Sequence, residues 1–384
     1  MFLRGATRLS AYILCAMRIE HHSPTDPDGS TPGAGLSDAP RREPILVLTE
    51  REIRQVVTLD LAALSAIEDA FTRLAGGQAD VPPILGLFVP RWHGEVDVKA
   101  AYIHGLPSLA IKIASGFFDN NAWGLPSGSG LMVVLSTRTG YPQAILLDNG
   151  YLTDVRTALA GAAAARHLAP SRVRTVGVIG AGTQGRYQVR ALQLVRTFEN
   201  VLVHDQSSSA VAAYVREMPA VLAEDRAALG MGGAGAPVRV EAADPERLVR
   251  QSDLVITCTP SHQPIVRADW LHPGLHITAM GADIPEKQEL HAEVLGRASR
   301  LACDLKTQCF ARGEFHHAQQ AGVLDDHTSV AELGELTSGR TPGRERDDEI
   351  TVCALTGVGV QDTAIALLAF GRATAARLGT PFAG

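Results

Sequence analysis

Residues Val173 to Gly185 read V-R-T-V-G-V-I-G-A-G-T-Q-G. A short apolar run through Val176, Val178 and Ile179 stops at Gly180, and Gly182 and Gly185 complete a G-x-G-x-x-G. The next segment carries Tyr187, Val189, Leu192 and Leu194 among polar residues, as a helix with one buried face would. Strand, glycines, helix is the order that binds a dinucleotide. The first glycine permits the tight turn, the second lets the backbone approach a pyrophosphate, and the third lets helix and strand pack closely. Thr183 and Gln184 lie inside this loop, where the first helical N–H groups face the phosphates. About twenty residues past the last glycine, V-L-V-H-D ends a second apolar run at Asp205. A carboxylate there accepts from a ribose 2′-hydroxyl and repels a 2′-phosphate. Gln206, Ser207 and Ser208 supply no arginine to reverse that choice. The expected cofactor is NAD(H), in preference to NADP(H). Without strand, helix and Asp205 in register, the same glycines would be a turn that binds nothing.

The 384 residues are enough for two ordinary domains. Composition is globular, 46% hydrophobic and 20% charged, with a formal net charge of −6. The 35 Lys and Arg are scattered without a basic run, so neither nucleic acid nor an anionic membrane is an expected partner. No stretch reaches the roughly 18 apolar residues that span a bilayer. The 5 cysteines (Cys15, Cys258, Cys303, Cys309, Cys353) include no C-x-x-C, which suits reduced thiols in a cytoplasmic enzyme. His21-His22 and His316-His317 lack metal-ligand spacing, so no metal site is expected, and no G-x-S-x-G, H-E-x-x-H or P-loop is present. Residues 1–43 begin with Arg4, Arg8 and Arg18 around a short apolar segment and continue through Ser, Pro, Asp, Gly and Thr. They read as a disordered extension, or as a start assigned too early.

Order is expected from Pro44. Ile45 to Leu48 reads as a strand, Thr49-Glu50-Arg51-Glu52 as a helix start capped by Thr49, and Leu59 to Ala75 as a helix. Apolar runs separated by turn residues from Val81 to Leu147 predict a mostly antiparallel sheet. Tyr151 to Leu168 is one helix rich in small residues, ended by Ala169-Pro170. Strands then alternate with helices as far as Cys303, and Gly230 to Ala236 reads as a loop insertion. After Ala311 the alternation breaks, and Gln361 to Leu378 reads as a helix returning to the first domain. The expected fold is α/β, a Rossmann-type doubly wound parallel sheet inserted in a discontinuous α+β domain. Residues 44–168 with 325–384 would form the substrate-binding and dimerisation domain, and 169–324 the NAD-binding domain.

Hydride chemistry on a small charged substrate needs cations to hold carboxylates and one group to manage a proton. Lys112, in L-A-I-K-I-A-S-G-F, stands between isoleucines on an apolar strand, where it is either a ligand or an edge lysine reaching for water. Arg156, in L-T-D-V-R-T-A-L, sits one turn into the small-residue helix and could equally be a surface arginine. Asp283, in H-I-T-A-M-G-A-D-I-P, follows a strand of the parallel sheet, where ligands bind beyond the carboxyl ends. A helix cap or turn is the other reading for it.

The chain from about 45 to 380 resembles the ornithine cyclodeaminase/μ-crystallin family at several points in order. These are the Lys112 strand, L-L-D-N-G-Y-L-T-D-V-R-T-A (Leu146 to Ala158), V-I-G-A-G-T-Q (Val178 to Gln184), M-G-A-D-I-P-E-K-Q-E-L (Met280 to Leu290) and D-D-E-I-T-V (Asp347 to Val352), leading into T-G-V-G-V-Q-D (Thr356 to Asp362). Within the family, A-S-G-F-F-D-N, G-L-P-S and T-G-V-G-V-Q-D-T-A are most similar to members that act in ectoine utilisation and to reductases of iminosuccinate. The resemblance implies a homodimer joined through the sheets of the first domains, each subunit with its own NAD(H). It implies that Lys112 and Arg156 hold a substrate carboxylate and that Asp283 is the acid/base.

Two departures bear on the substrate. Family members commonly carry an arginine after the Pro-hydrophobic step of the early strand; here that step is Pro83-Ile84-Leu85-Gly86, leaving Arg91 as a replacement. Lys99, in V-D-V-K-A-A-Y, aligns with an acidic residue of ornithine cyclodeaminase. It differs from Lys112 in parity, which the turn at Gly105 to Ser108 can reset. A cation there would repel ornithine's distal ammonium, at a cost of about 4 kcal/mol for about 4 Å and an effective dielectric constant near 20. The expected function is an NAD(H)-dependent imine reductase acting on a small dicarboxylic imino acid, iminosuccinate giving aspartate, with Lys99 or Arg91 on the second carboxylate. A role in ectoine or hydroxyectoine catabolism stands beside it, and the alternatives are ornithine cyclodeaminase, a pyrroline-2-carboxylate reductase, and a non-catalytic μ-crystallin-like binder of nucleotide and a small ligand.

Overall fold

The computed structural model describes residues 43–230, 237–325 and 327–383. The expected extension over 1–43 (all but its last residue) and the expected loop insertion beyond Gly230 lie outside the described residues. Two sheets organise the chain. The first contains β1 (Ile45–Thr49), β2 (Ala79–Asp80), β3 (Leu85–Val89), β4 (Gly94–Ile103), β5 (Ser108–Phe117), β6 (Gly128–Ser136) and β7 (Pro142–Leu147). Its order is β1-β7-β6-β5-β4, with β2 and β3 both pairing with β4. Only β1 and β7 are parallel; the other pairs are antiparallel, as the short turns between them require.

Side chains alternate across this sheet. Lys99, Ala101 and Ile103, then Ala110 and Lys112, then Met132 and Val134, then Ala144 and Leu146 are buried on one face. That face packs on three helices, Leu61–Ala75, Tyr151–Leu168 and Gly359–Ala376, which share its core. The helix before them, Glu50–Val56, begins with the reciprocal cap expected at Thr49, whose hydroxyl accepts from the Glu52 N–H while the Glu52 carboxylate accepts from the Thr49 N–H. Such a cap contributes about 1 kcal/mol. Tyr151–Leu168 is buried on almost every side. A Cβ at Gly161 would fall 2.0 Å from Gln188 Oε1, so glycine allows the nucleotide-loop helix Thr183–Leu192 to lie directly against it.

The second sheet contains β8 (Thr175–Ile179), β9 (Asn200–His204), β10 (Arg239–Ala242), β11 (Leu254–Thr257), β12 (His276–Ala279), β13 (Arg300–Cys303), β14 (Val330–Glu332) and β15 (Thr351–Ala354). The order is β10-β9-β8-β11-β12-β15-β13-β14, parallel throughout. Strands such as β11, β12 and β15 are buried at every residue, as a sheet covered on both faces demands. This is the Rossmann-type sheet expected from the glycine motif. A last strand, β16 (Thr380–Phe382), returns to the first sheet and pairs antiparallel with β1.

The expected boundary at residue 325 is corrected by this topology. β14 and β15 both belong to the parallel sheet, so 325–384 does not return as a block to the first domain. β14 has three residues inside a polar, turn-rich stretch, too short for alternation to register. β15 slots between β12 and β13, and two pieces of this stretch rejoin the first domain: the helix Leu333–Thr337, which packs on Leu61–Ala75, and the segment from Gly359 onward. No helix among the described residues is long and apolar enough to cross a membrane.

Candidate active site

Lys99 and Lys112 sit directly opposite each other on β4 and β5. The turn between the strands absorbs the odd separation in sequence, with Gly105 at φ 79°. Like charges opposite each other destabilise a sheet, and both ammonium groups are buried. The compensating charge is Asp362, in the first turn of Gly359–Ala376 and 0% exposed. Its Oδ1 lies 3.2 Å from Lys112 Nζ and 3.0 Å from Arg156 Nε. Lys99 Nζ donates to the Gly357 carbonyl at 3.4 Å and is 4.0 Å from Asp97 on its own strand. The contacts of Asp362 are ionic and poorly aligned: neither of its oxygens, nor Arg156 Nε, meets hydrogen-bond geometry with a partner.

Burial works against ionisation of Asp362, yet Lys112, Arg156 and Lys99 together hold its carboxyl below the usual range. Lys112 shows the converse. Burial, then the neighbouring Arg156, push its ammonium down to about 7, with Asp362 opposing. The cluster therefore lacks negative charge, and an incoming carboxylate would supply it. Gly357 permits the assembly: at φ +78° a Cβ would fall 2.8 Å from Arg156 Nη1. Its loop is anchored by Asp304, beyond β13, whose Oδ2 accepts from the N–H groups of Thr356 and Gly357 at 2.9 and 2.6 Å.

Asp283 stands beyond β12, as its place in sequence implied, with its side chain 36% exposed. Lys287 Nζ donates to its Oδ1 at 2.8 Å and lies 4.0 Å from Glu95 of β4, so an ion-pair chain bridges the two sheets. Burial would raise the Asp283 carboxyl, but Lys287 and then Lys99 bring it below the ordinary carboxylate value. The chain borders a cavity of about 580 Å³ lined by Phe88, Glu95, Phe118, Pro260, Ile284 and Lys287. Arg91 does not join the cations. It is exposed on the turn Pro90–Trp92 with its guanidinium 5.2 Å from the Trp92 ring.

The glycine loop has the geometry a dinucleotide needs. Gly180 has φ +113° and no room for a Cβ, which would fall 2.9 Å from the Cys258 carbonyl; a Cβ at Gly185 would fall 2.0 Å from the Gly180 carbonyl. Gly182 precedes the helix and faces open space, where a pyrophosphate could approach the backbone. Thr183 opens the helix, and the Gln184 amide donates to Asp154 at 2.8 Å, tying the loop to the helix that carries Arg156. Asp205 follows β9, accepting from the Ala181 N–H at 2.8 Å and the Ser207 N–H at 2.8 Å. It therefore stands beside the loop, where a ribose would lie.

Asp362, Lys287, Glu95, Asp97 and Asp304 were not singled out in sequence. Asp362 and Lys287 lay inside the quoted T-G-V-G-V-Q-D and M-G-A-D-I-P-E-K-Q-E-L segments, and a charged residue in each was the available signal. Glu95 and Asp97 share the parity of Lys99, a signal that becomes useful only once that strand face is known to be buried.

The pH profile of catalysis should expose Lys112. If Lys112 holds a substrate carboxylate, as the resemblance implies, the free enzyme binds it best with Lys112 charged, and kcat/KM should fall as pH rises through about 7. A bound anion favours the ammonium, so the corresponding break in kcat should lie at higher pH. Steady-state rates from pH 5.5 to 9 check this; a kcat/KM flat across that range would contradict the Lys112 role.

A family model described as ornithine cyclodeaminase/mu-crystallin family matches residues 44–377. An inferred dehydrogenase of Rhizobium meliloti is 47% identical over 337 residues, covering 88% of this chain and 98% of that protein. The solved Delta(1)-pyrroline-2-carboxylate reductase of Thermococcus litoralis, in complex with NADH and L-proline, superposes with a TM-score of 0.79 at 27% identity, over 88% of this chain and 99% of that one. The iminosuccinate reductase of Paracoccus denitrificans, in complex with NAD+, gives 0.76 at 30% identity, over 89% and 100%.

Proposed function

Because the chain belongs to the ornithine cyclodeaminase/mu-crystallin family and is an NAD-dependent oxidoreductase of the imine reductase/dehydrogenase kind, we propose that it reduces a small dicarboxylic imino acid, iminosuccinate giving aspartate. The observation that carries this reading is the excess of cations in the buried cluster, where Lys99, Lys112 and Arg156 surround the fully buried carboxylate of Asp362 and the next carboxylate, Asp97, stands 4.0 Å from Lys99. Arg156 and Lys112 clamp the α-carboxylate, and Lys99 attracts the second. Bound NADH supplies the hydride, which passes to the imine carbon. Asp283 gives a proton to the imine nitrogen, its carboxylate stands beside the iminium as hydride arrives, and the amine formed takes its last proton from solvent; oxidation retraces these steps in reverse. One specific observation favours ornithine instead: Asp97 and Glu95 share the pocket face of β4 and could meet a distal ammonium. Following NADH with oxaloacetate plus ammonia, with pyrroline-2-carboxylate, and in oxidation with ornithine separates the readings. Turnover with the first mixture supports the dicarboxylate; proline from ornithine without it sinks that proposal.

Asp205 is the basis for preferring NADH over NADPH. Asp205→Ser should lower the ratio of kcat/KM for NADH to that for NADPH by at least about tenfold, the loss of one charged hydrogen bond and one repulsion. An unchanged ratio would show that Asp205 does not read the ribose. The outer face of the first sheet suits a second copy of this chain. Leu85 pairs with Val98, Val98 with Ile113 and Ile113 with Leu131, one apolar row that the subunit leaves uncovered. Leu87, on the same face, is 55% exposed. Homodimerisation through this face, each subunit with its own NAD(H) and in the cytoplasm, completes the proposal.

A further inference from the structure

One carboxylate at the crevice is held without a cation. Glu289 is 0% exposed and forms no ion pair among the described residues. Its Oε1 accepts from the Thr259 N–H at 2.6 Å and the Thr259 hydroxyl at 2.8 Å. Its Oε2 accepts from the Thr257 hydroxyl at 2.7 Å and the Gly281 N–H at 2.8 Å. Thr257 ends β11, and Gly281 follows the neighbouring β12. A Cβ at Gly281 would fall 2.2 Å from the Thr259 carbonyl and 2.6 Å from Glu289 Cδ, so only glycine leaves room for the carboxylate beside the Thr259 backbone.

Glu289 is fixed from behind as well. Its own N–H donates to Glu314 at 2.7 Å, and its carbonyl accepts from the N–H groups of Ile265 and Val266 at 2.7 and 3.0 Å. A buried charge with no counter-ion is costly. The chemistry that favours it here is acceptor capacity: a carboxylate can take four donors, whereas an amide has one accepting oxygen. The two loops it joins run into Pro260, which lines the cavity, and into Asp283. Both lie beyond the carboxyl ends of a parallel sheet, where the ligand of such a sheet sits.

We propose that Glu289 is a positioning residue, whose carboxylate locks the Thr259–Pro260 and Gly281–Asp283 loops together and so sets Asp283 against the reacting centre. The inference rests on Asp283 managing the proton. Glu289→Gln keeps the volume but cannot accept from both loops with both oxygens. A misplacement of about 1 Å can cost about 100-fold in rate, so kcat should fall 10- to 100-fold. Because the glycine loop is untouched, the NADH dissociation constant read by nucleotide fluorescence should stay within threefold. The deuterium isotope effect on kcat with [4-²H]NADH should rise, because the chemical step becomes slower than release. Thr259→Val removes one donor and leaves the fold; it should lower kcat three- to tenfold with NADH binding unchanged, and Thr259→Ser should restore it. This pair decides the matter if Glu289→Gln does not fold. Unchanged kcat and isotope effect in the folded Glu289→Gln enzyme, or in Thr259→Val where the former does not fold, would overturn the proposal, as would a matching loss of NADH binding. Asp283→Asn measured alongside separates the failures: if it loses turnover while Glu289→Gln does not, only this inference falls, whereas an Asp283→Asn enzyme of full activity would overturn the assignment of Asp283 and this inference with it.

Discussion

Asp362→Asn should be the most destabilising conservative change in the chain, lowering the free energy of unfolding by about 3–5 kcal/mol at neutral pH. Volume is nearly unchanged, so no cavity contributes. What is lost is the negative charge within 3.2 Å of Lys112 and 3.0 Å of Arg156. Arg156 cannot shed its proton, and Lys112, already pushed down to about 7 by burial and Arg156, would be forced neutral. Breaking a buried pair by removing one partner costs far more than the pair contributes when intact, because the surviving charge stays buried. Urea unfolding measures the effect. The same argument predicts that a dicarboxylate added to the variant raises its unfolding midpoint more than it raises that of the unmodified enzyme, since the ligand then supplies the missing charge. An unchanged midpoint would mean that Asp362 is not ionised among these cations.

Asp283→Asn should leave the fold intact and lower kcat by about 10²- to 10⁴-fold, the range for losing a positioned acid or base. The side chain is 36% exposed and its nearest partner is Lys287 at 2.8 Å, so little packing depends on its charge. Substrate KM should move by no more than a few fold, because the proposed carboxylate clamp, Lys112 and Arg156, lies on β5 and on Tyr151–Leu168. Steady-state kinetics in both directions provide the check. A variant that kept kcat but raised KM tenfold would make Asp283 a binding group.

Much of this architecture was legible in the chain. The Gly180–Gly185 loop carries a local steric demand that glycine alone satisfies at Gly180 and Gly185, so strand, turn and helix follow from adjacent residues. Thr49 and Asp205 were readable for the same reason, since each acts on residues close by or at a fixed spacing. β14 and β15 were not assigned to their sheet because its order is non-local: β15 enters between β12 and β13 from a distant part of the chain, and only burial on both faces reveals it. In the site, Lys112, Arg156 and Asp283 stood out as charges in apolar or sheet-end surroundings. Asp362 did not, because an acidic residue in the first turn of a helix is explained locally by the helix dipole. Its meaning arises only when β5 and Tyr151–Leu168 converge on it. Arg91 shows the opposite case, a charge near the right strand whose turn places it at the surface, apart from the buried cations.

Hydride passing between NAD(H) and the α-carbon of an amino or imino acid at this site leaves an isotopic mark on the product. The direct measurement is mass spectrometry of the amino acid formed from the imino substrate with NADH deuterated at the transferred C4 position. One deuterium at Cα is the predicted result. An amino acid product without deuterium at that carbon would contradict the account.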